Sequence, residues 1–232
     1  MKPLSVEIHG EFSKLSFDFK HEFDNGITTL LGHIGSGKST IANSISGFNK
    51  ELKSLVNING NSFNSFISAK TNARPISVMF QDTRLLPHLT VKENIVFALK
   101  KSKVKKTISK GLNIENVIKA LNINHLLNKF PDQLSGGQQQ LVNLCRTLAI
   151  KSDFIILDEP MSSLDIKNKS VVLSLLKQIN QHYKIPILII SHSVEEIAQI
   201  SDKVIIIEKG KKISYGNLSQ IFLKKEFTNI FG

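Results

Sequence analysis

One stretch of the chain constrains its fold more than any other: Gly32-His33-Ile34-Gly35-Ser36-Gly37-Lys38-Ser39-Thr40. It fits the pattern Gly-x-x-x-x-Gly-Lys-Ser/Thr, in which glycines let the backbone curl and aim successive N–H groups into one hollow. A helix predicted over residues 39–46 would point the positive end of its dipole at the same hollow. In such a loop the lysine reaches the β- and γ-phosphates, and the hydroxyl after it can bind Mg²⁺. The stretch therefore predicts a nucleoside triphosphate site, with Lys38 on the phosphates and Ser39 on Mg²⁺.

Composition indicates an ordinary globular protein. The chain has 232 residues, of which 41% are hydrophobic, enough for one or two domains with a full core. Its longest apolar runs are far shorter than the roughly 20 residues of a spanning helix. A single cysteine, Cys145, excludes an internal disulfide and suits a reducing compartment. Because it falls in a helical pattern, we expect a packed side chain rather than a nucleophile.

The formal net charge of +11 leaves three interpretations open. Nucleic acid, an anionic membrane surface and a merely solvated face all suit such a charge. A cluster of lysines occurs within residues 100–110, without the interleaved aromatics of a single-strand binding groove. A solvated loop is therefore favoured, and nucleic acid is the least favoured. The cluster consists of Lys100, Lys101, Lys103, Lys105, Lys106 and Lys110.

Hydrophobic periodicity predicts an α/β chain. Two alternating segments near the N-terminus favour antiparallel strands, and later apolar strands alternate with helices, which implies parallel pairing through right-handed crossovers. We expect Asn59-Gly60 to form the turn between the strands at 55–58 and 76–80. The predicted strands are 4–9, 15–23, 26–31, 55–58, 76–80, 154–157, 187–190 and 204–207. The predicted helices are 39–46, 91–99, 114–121 with Asn113 as cap, one beginning after Ser135, 166–182, and 194–200 with a Ser193–Glu196 capping box.

Two carboxylates follow the apolar run Phe154-Ile155-Ile156-Leu157. Ligands of open parallel sheets bind at the carboxyl ends of the strands, where Asp158 and Glu159 would stand. Asp158 is placed to hold Mg²⁺ through its water shell, and Glu159 to polarise an attacking water.

The pentapeptide Leu134-Ser135-Gly136-Gly137-Gln138 opens a second helix with a serine and two glycines. Such a start makes another anion-binding helix terminus, without a lysine. With this pentapeptide the chain resembles the ABC ATPase family, whose signature motif it matches, and the resemblance covers nearly the whole sequence. The resemblance implies a P-loop NTPase (RecA-like) core with a parallel sheet, an antiparallel β subdomain and an inserted α-helical subdomain.

The family's other motifs occur in its order. Gln81 matches the Q-loop glutamine that touches Mg²⁺ and the attacking water, and Ser162-Ser163-Leu164-Asp165 matches the D-loop. His192 matches the switch histidine that contacts the γ-phosphate. The resemblance implies a head-to-tail homodimer, in which each ATP also contacts Leu134–Gln138 and Asp165 of the second copy.

The chain departs from the family pattern in two respects. Gln139, Gln140 and Leu141 stand where Arg or Lys, Gln and Arg are usual, although Arg146 is kept, so we expect fewer salt contacts from this helix. The aromatic residue that stacks on adenine is not obvious; Phe12 is the candidate and His9 the reserve.

The resemblance also implies a domain organisation. Residues 1–81 and 151–232 would form the nucleotide-binding core with its antiparallel β subdomain, and residues 82–150 the helical subdomain. We expect a single ABC ATPase domain without a C-terminal regulatory domain.

Within the family the chain is similar to the importer ATPases. One nucleotide-binding core without a membrane span implies separate permease subunits, which would dock near residues 82–95, where we expect Leu85, Leu86 and His88 to be exposed. Segments such as Asp24-Asn25-Gly26-Ile27-Thr28 and Ser44-Ile45-Ser46-Gly47 resemble molybdate importer ATPases, whereas Arg74–Gln81 resembles thiamine importer ATPases. Molybdate, or a related oxyanion such as tungstate, is favoured over thiamine.

An importer ATPase implies a peripheral position on the cytoplasmic face of a bacterial inner membrane. A periplasmic or extracellular solute-binding protein would be an indirect partner. The rival hypothesis is an ATP-driven machine that acts on nucleic acid, which the basic charge alone suggests.

Overall fold

A computed structural model of the chain describes residues 4–65, 74–101, 112–223 and 227. Backbone contacts divide it into two compact units, one of residues 1–74 and 186–232 and the other of residues 75–185. The second unit contains the whole predicted helical insertion, 82–150, together with the strands and the long helix that border it.

The first unit is built on a mixed sheet. Its strands lie in the order β5-β4-β1-β2-β10-β9-β3-β8. Strand β1 pairs antiparallel with β2 and β4, while β3 pairs parallel with both β8 and β9. The strands are β1 Leu4–Phe12, β2 Leu15–Phe23, β3 Ile27–Leu31, β4 Lys53–Ile58, β5 Asn61–Asn64, β8 Ile187–Ile190, β9 Lys203–Glu208 and β10 Lys211–Gly216.

The residue patterns explain the two kinds of strand. In β2, Phe17, Phe19, His21 and Phe23 are buried while the residues that alternate with them are exposed, as expected for a sheet with one face on the core. All residues of β3 and β8 are buried, as is typical of parallel strands covered on both faces. This burial accounts for the continuous apolar runs in the sequence.

Three helices complete the described part of the first unit: α1 Lys38–Ser46, α6 Val194–Ile200 and α7 Leu218–Phe222. Helix α1 ends at Gly47, whose φ of 81° a residue with a side chain rarely adopts. The buried Arg74 Nη1 donates to the Ser44 and Ile45 carbonyls at this end, 3.0 and 2.5 Å away. A cation at a helix C-terminus complements the negative end of the dipole.

The second unit combines a parallel strand pair with helices. Strand β6, Ile76–Met79, pairs parallel with β7, Phe154–Asp158. Its helices are α2 Val91–Lys101, α3 Ile114–Ala120, α4 Gly136–Leu148 and α5 Ile166–Tyr183, with 3₁₀ turns at Asn124–Leu126 and Pro131–Gln133.

The predicted elements are present, with ends that differ by a few residues. Asn113 caps α3, and Ser193 accepts a hydrogen bond from the backbone N–H of Glu196. The predicted turn at Asn59-Gly60 is present, but the strand that follows it is β5, which pairs back on β4, and not the strand at 76–80. β5, β10 and α7 were not predicted, since each is short and weakly patterned.

No helix within residues 4–65, 74–101 and 112–223 is long and apolar enough to span a bilayer. Of the lysine cluster, Lys103, Lys105, Lys106 and Lys110 lie outside the described residues.

Candidate functional site

The predicted phosphate loop joins β3 to α1 in the first unit. Gly35 and Gly37 have φ of 79° and 102°, so the backbone at both positions adopts a conformation that favours glycine. Gly37 is the N-cap of α1, and no side chain caps this helix start. No side-chain cap therefore competes with an anion at this helix start.

Lys38 lies across the loop. Its ammonium donates to the carbonyls of Gly32 and His33, each 2.8 Å away, and lies 3.5 Å from the Ser36 hydroxyl. Ser39 is exposed beside it. The loop thus brings one ammonium and one accessible hydroxyl to the start of α1, the donor set that phosphate oxygens and Mg²⁺ require.

Neighbouring strands support the loop from behind. A Cβ on Gly37 would lie 2.7 Å from the Phe17 ring, and a Cβ on Gly32 would lie 2.3 Å from the Ile207 carbonyl. The Ser36 carbonyl accepts from the N–H of Gly210, 2.8 Å away. Sequence reasoning missed Phe17, because its alternation in β2 marks it only as a core residue.

His192 is also in the first unit, after β8, and is exposed. On either side of it the chain is fixed by buried groups: the Ser191 hydroxyl donates to the Glu196 carboxylate at 2.8 Å. The N–H of Ser193 donates to the Ser191 oxygen at 3.1 Å. The imidazole is therefore presented on a well-anchored turn at the start of α6.

Phe12 stands at the end of β1, half-buried, opposite Leu15. The intervening Ser13 and Lys14 both have positive φ, 49° and 66°, as a tight hairpin turn requires. His9 lies 3.1 Å from Asp18 on the exposed face of the same hairpin. The adenine contact of Phe12 remains a prediction.

The second unit presents the two carboxylates. Asp158, the last residue of β7, is 9% exposed, whereas Glu159 is half-buried. Glu159 has a φ of 50°, in the left-handed region that residues with side chains rarely occupy. The strained backbone position therefore follows directly after Asp158, where β7 ends.

The signature pentapeptide forms the start of α4. Ser135 is the N-cap; its hydroxyl accepts from the Gln138 N–H, and the Gln138 side chain accepts from the Ser135 N–H, 3.3 and 3.1 Å away. A Cβ on Gly136 would meet nothing within 4 Å, but a Cβ on Gly137 would lie 2.9 Å from the Ser163 carbonyl. Gly136 therefore leaves the helix start open, and Gly137 lets α4 approach the D-loop.

The segment that follows β6 is also attached to α4. Gln81 is exposed, while the Thr83 hydroxyl donates to the Gln139 side chain at 3.3 Å. Arg146 donates to the carbonyl of Arg84 at 2.8 Å. Burial lowers the pKa of Arg146 but leaves a charged guanidinium.

Asn94, fully buried, organises the predicted docking segment. Its side-chain amide donates to the carbonyls of Leu86, Leu89 and Thr90 and accepts from the Leu86 N–H, all within 3.1 Å. Three residues of this segment were expected to be exposed, and His88 is exposed. Leu85 and Leu86 are only half-buried rather than exposed, because this network folds the segment back on itself.

Cys145 is buried in α4, and burial raises the pKa of its thiol to about 12. A thiol that stays protonated at neutral pH is a poor nucleophile, which confirms the packed role expected for it.

The comparisons with known proteins now decide the family. The model of the ABC transporter family matches residues 12–162, which include the phosphate loop, the signature pentapeptide and both carboxylates. The chain belongs to the ABC transporter family. The region of the chain that matches the ABC transporter family includes residues of both compact units.

Curated relatives agree with this assignment. The chain is 36% identical over 200 residues to the molybdenum import ATP-binding protein ModC of Pseudomonas aeruginosa, covering 84% of this chain and 54% of that protein. It is 34% identical over 201 residues to ModC of Escherichia coli strain K12, covering 85% and 55%. The chain thus spans about half the length of these relatives.

Solved structures confirm the fold. MJ1267, an ATP-binding cassette of an ABC transporter, superposes with a TM-score of 0.81 at 24% identity, covering 100% of this chain and 99% of that one. A dimeric post-hydrolysis cassette, MJ0796 bound to ADP and phosphate, gives a TM-score of 0.78 at 22% identity, covering 93% and 98%. The predicted P-loop NTPase fold is therefore confirmed.

Proposed function

We propose that the chain binds ATP and Mg²⁺ and hydrolyses ATP as the ATPase subunit of an importer. The observation that carries the proposal is the phosphate loop, in which glycine-dependent turns, the Lys38 ammonium and the uncapped start of α1 occur together. Membership in the ABC transporter family supports it.

Each predicted residue has a role in this proposal. Lys38 and the N–H groups of the loop bind the β- and γ-phosphates, and Ser39, Gln81 and Asp158 hold Mg²⁺. The bound Mg²⁺ neutralises phosphate charge. Glu159 accepts a proton from the attacking water, His192 contacts the γ-phosphate, and Phe12 stacks on adenine.

The partners follow from the same proposal. Two copies bind head to tail, with Leu134–Gln138 and Asp165 of one completing the ATP site of the other. Integral membrane permease subunits dock near residues 82–95 on the cytoplasmic face of the inner membrane. A solute-binding protein acts indirectly. Closing and reopening of the pair moves the permease because ATP favours one state and its products the other.

The proposed substrate is molybdate or a related oxyanion. Both bacterial relatives described above are named as molybdenum import proteins, and no residue of the described chain is expected to touch the transported solute. An uptake assay with the co-expressed permease, comparing molybdate, tungstate and thiamine, tests this part. Uptake of thiamine in this assay would identify thiamine, instead of molybdate, as the transported substrate. It would leave the ATPase proposal unaffected.

Lys38→Ala tests the nucleotide site itself. Removal of the ammonium is expected to weaken ATP binding at least tenfold, because its contacts to the phosphates are charge-assisted. Titration with a fluorescent ATP analogue measures it, and Lys177→Ala on the exposed face of α5 is the matched control. Equal affinity of the two variants contradicts the role of Lys38.

The rival hypothesis, an ATP-driven machine that acts on nucleic acid, has its own test. ATPase activity that is stimulated by DNA or RNA, and whose stimulation falls steeply with salt, would favour that machine over the importer.

A further inference from the structure

We propose that Gln140 is a positioning residue that holds Glu159 and the D-loop in the geometry that catalysis needs. The inference deepens the proposed function and rests on it. It concerns a side chain that does not touch nucleotide and acts through the backbone of the residues that do.

Gln140 lies on α4, two residues after the signature pentapeptide, and is 3% exposed. Its amide nitrogen donates to the Glu159 carbonyl at 2.8 Å and lies 3.1 Å from the Ser162 hydroxyl. Its amide oxygen accepts from the Ser163 N–H at 2.7 Å. One buried side chain therefore binds both ends of the turn that follows β7.

The backbone of this turn needs such a tether. Glu159 has a φ of 50°, although it has a side chain and precedes Pro160, and residues before proline prefer extended backbone. A residue in this conformation persists only where its surroundings hold it. The bond to the Glu159 carbonyl acts directly on the strained residue.

A second contact from α4 reaches the same turn. Gly137 lies three residues before Gln140, on the same side of the helix. Its lack of a side chain leaves space for the Ser163 carbonyl, which a Cβ at Gly137 would approach to 2.9 Å. Helix α4 thus holds Ser163 by its N–H through Gln140 and packs closely against its carbonyl at Gly137. The direction of the Glu159 carboxylate is tied to the helix that starts with the signature motif.

This arrangement predicts a defect in turnover rather than in binding. Since none of the hydrogen bonds of Gln140 involves the phosphate loop, loss of the Gln140 side-chain amide leaves the affinity for ATP unchanged. The Glu159 carboxylate shifts relative to the attacking water, and a misplacement of about 1 Å costs on the order of 10²-fold in rate.

Gln140→Met, which keeps the length and volume of the side chain but removes its hydrogen bonds, is the decisive variant. We expect kcat for ATP to fall about 10- to 100-fold while KM stays within about twofold. Gln140→Glu keeps an acceptor for the Ser163 N–H but removes the donor to Glu159, and should lower kcat similarly. Gln178→Met, on the exposed face of α5, is the control and should match the wild type.

Hydrogen exchange of the nucleotide-free protein gives a readout independent of activity. In Gln140→Met, the amide of Ser163 should exchange faster, while amides of β7 exchange at the wild-type rate. Wild-type kcat in Gln140→Met, or unchanged exchange at Ser163, overturns the inference. Proportional loss of kcat, ATP affinity and thermal stability also overturns it, because that pattern indicates a purely structural residue.

The same experiments separate this inference from the proposed function. If the wild type hydrolyses ATP and Gln140→Met does so equally fast, only the inference fails. If the wild type binds no ATP, the proposed function fails, and the exchange of Ser163 still decides whether Gln140 tethers the turn.

Discussion

At the scale of single residues, the predicted reactive groups differ in how far burial constrains them. Asp158 is 9% exposed at the end of a buried strand, whereas His192, Ser39 and Gln81 are exposed. A nearly buried carboxylate is restricted by its surroundings, while accessible groups can adjust to a ligand. Glu159 lies between these extremes, since it is half-buried and its backbone has a φ of 50°.

Glu159→Gln should retain ATP binding and lose about 10²- to 10⁴-fold in hydrolysis, because the amide cannot accept the proton of the attacking water. Single-turnover hydrolysis of radiolabelled ATP measures the change, and Glu22→Gln on the exposed side of β2 serves as control. Unchanged turnover would remove Glu159 as the general base.

At the scale of elements, α4 connects three parts of the second unit. Its first residues form the signature cap, Gln140 binds the turn after β7, and Gln139 and Arg146 bind the segment that follows Gln81. The two glycines at the start of α4 have different structural effects. Gly136 leaves the helix terminus open to a ligand, and Gly137 allows α4 to approach Ser163 closely.

Gly136→Ala and Gly137→Ala should therefore have opposite effects on the stability of the nucleotide-free protein. Alanine at 136 should raise the free energy of unfolding by about 0.5–1 kcal/mol, because it reduces the backbone entropy of the unfolded chain. Alanine at 137 should lower it by about 1–3 kcal/mol, because its Cβ would overlap the Ser163 carbonyl. Urea denaturation measures both, and equal effects would contradict the close approach at Gly137.

At the scale of the whole molecule, each compact unit contains a different set of the residues predicted from the sequence. The phosphate loop and His192 belong to the first, and Gln81, Asp158, Glu159 and the signature helix to the second. The proposed dimer adds a further division, because the signature motif would serve the ATP of the other copy.

Ser135→Arg tests the dimer. We expect it to leave ATP affinity unchanged and to block ATP-dependent dimerisation of the Glu159→Gln protein, because a long cation would occupy the place of the second copy's phosphates. Light scattering with and without ATP measures it. Ser174→Arg, on the exposed face of α5, controls for the added charge. Normal dimers of Ser135→Arg would contradict the contribution of the signature motif from the second copy.

Local pattern was enough to predict much of this protein. The glycine-dependent turn before α1, the cap at Ser135, the cap at Asn113 and most strands were predicted correctly, because each depends on residues a few positions apart. Short elements such as β5 were missed because their residues acquire strand geometry only by pairing with β4. The exposure of Leu85 and Leu86 was mispredicted because it depends on the side chain of Asn94.

The sequence by itself thus determined the backbone turn of Gly32–Thr40 and the helix start that follows it, since both depend on glycine conformation and on neighbouring residues; phosphate binding there is the proposal that rests on them. Only the tertiary structure showed that Phe17 packs against Gly37 and that Gln140 binds the carbonyl of Glu159. These contacts join residues about 20 positions apart along the chain, brought together by sheet and helix packing. No spacing rule encodes such contacts, because they depend on how complete elements pack rather than on the period within one element.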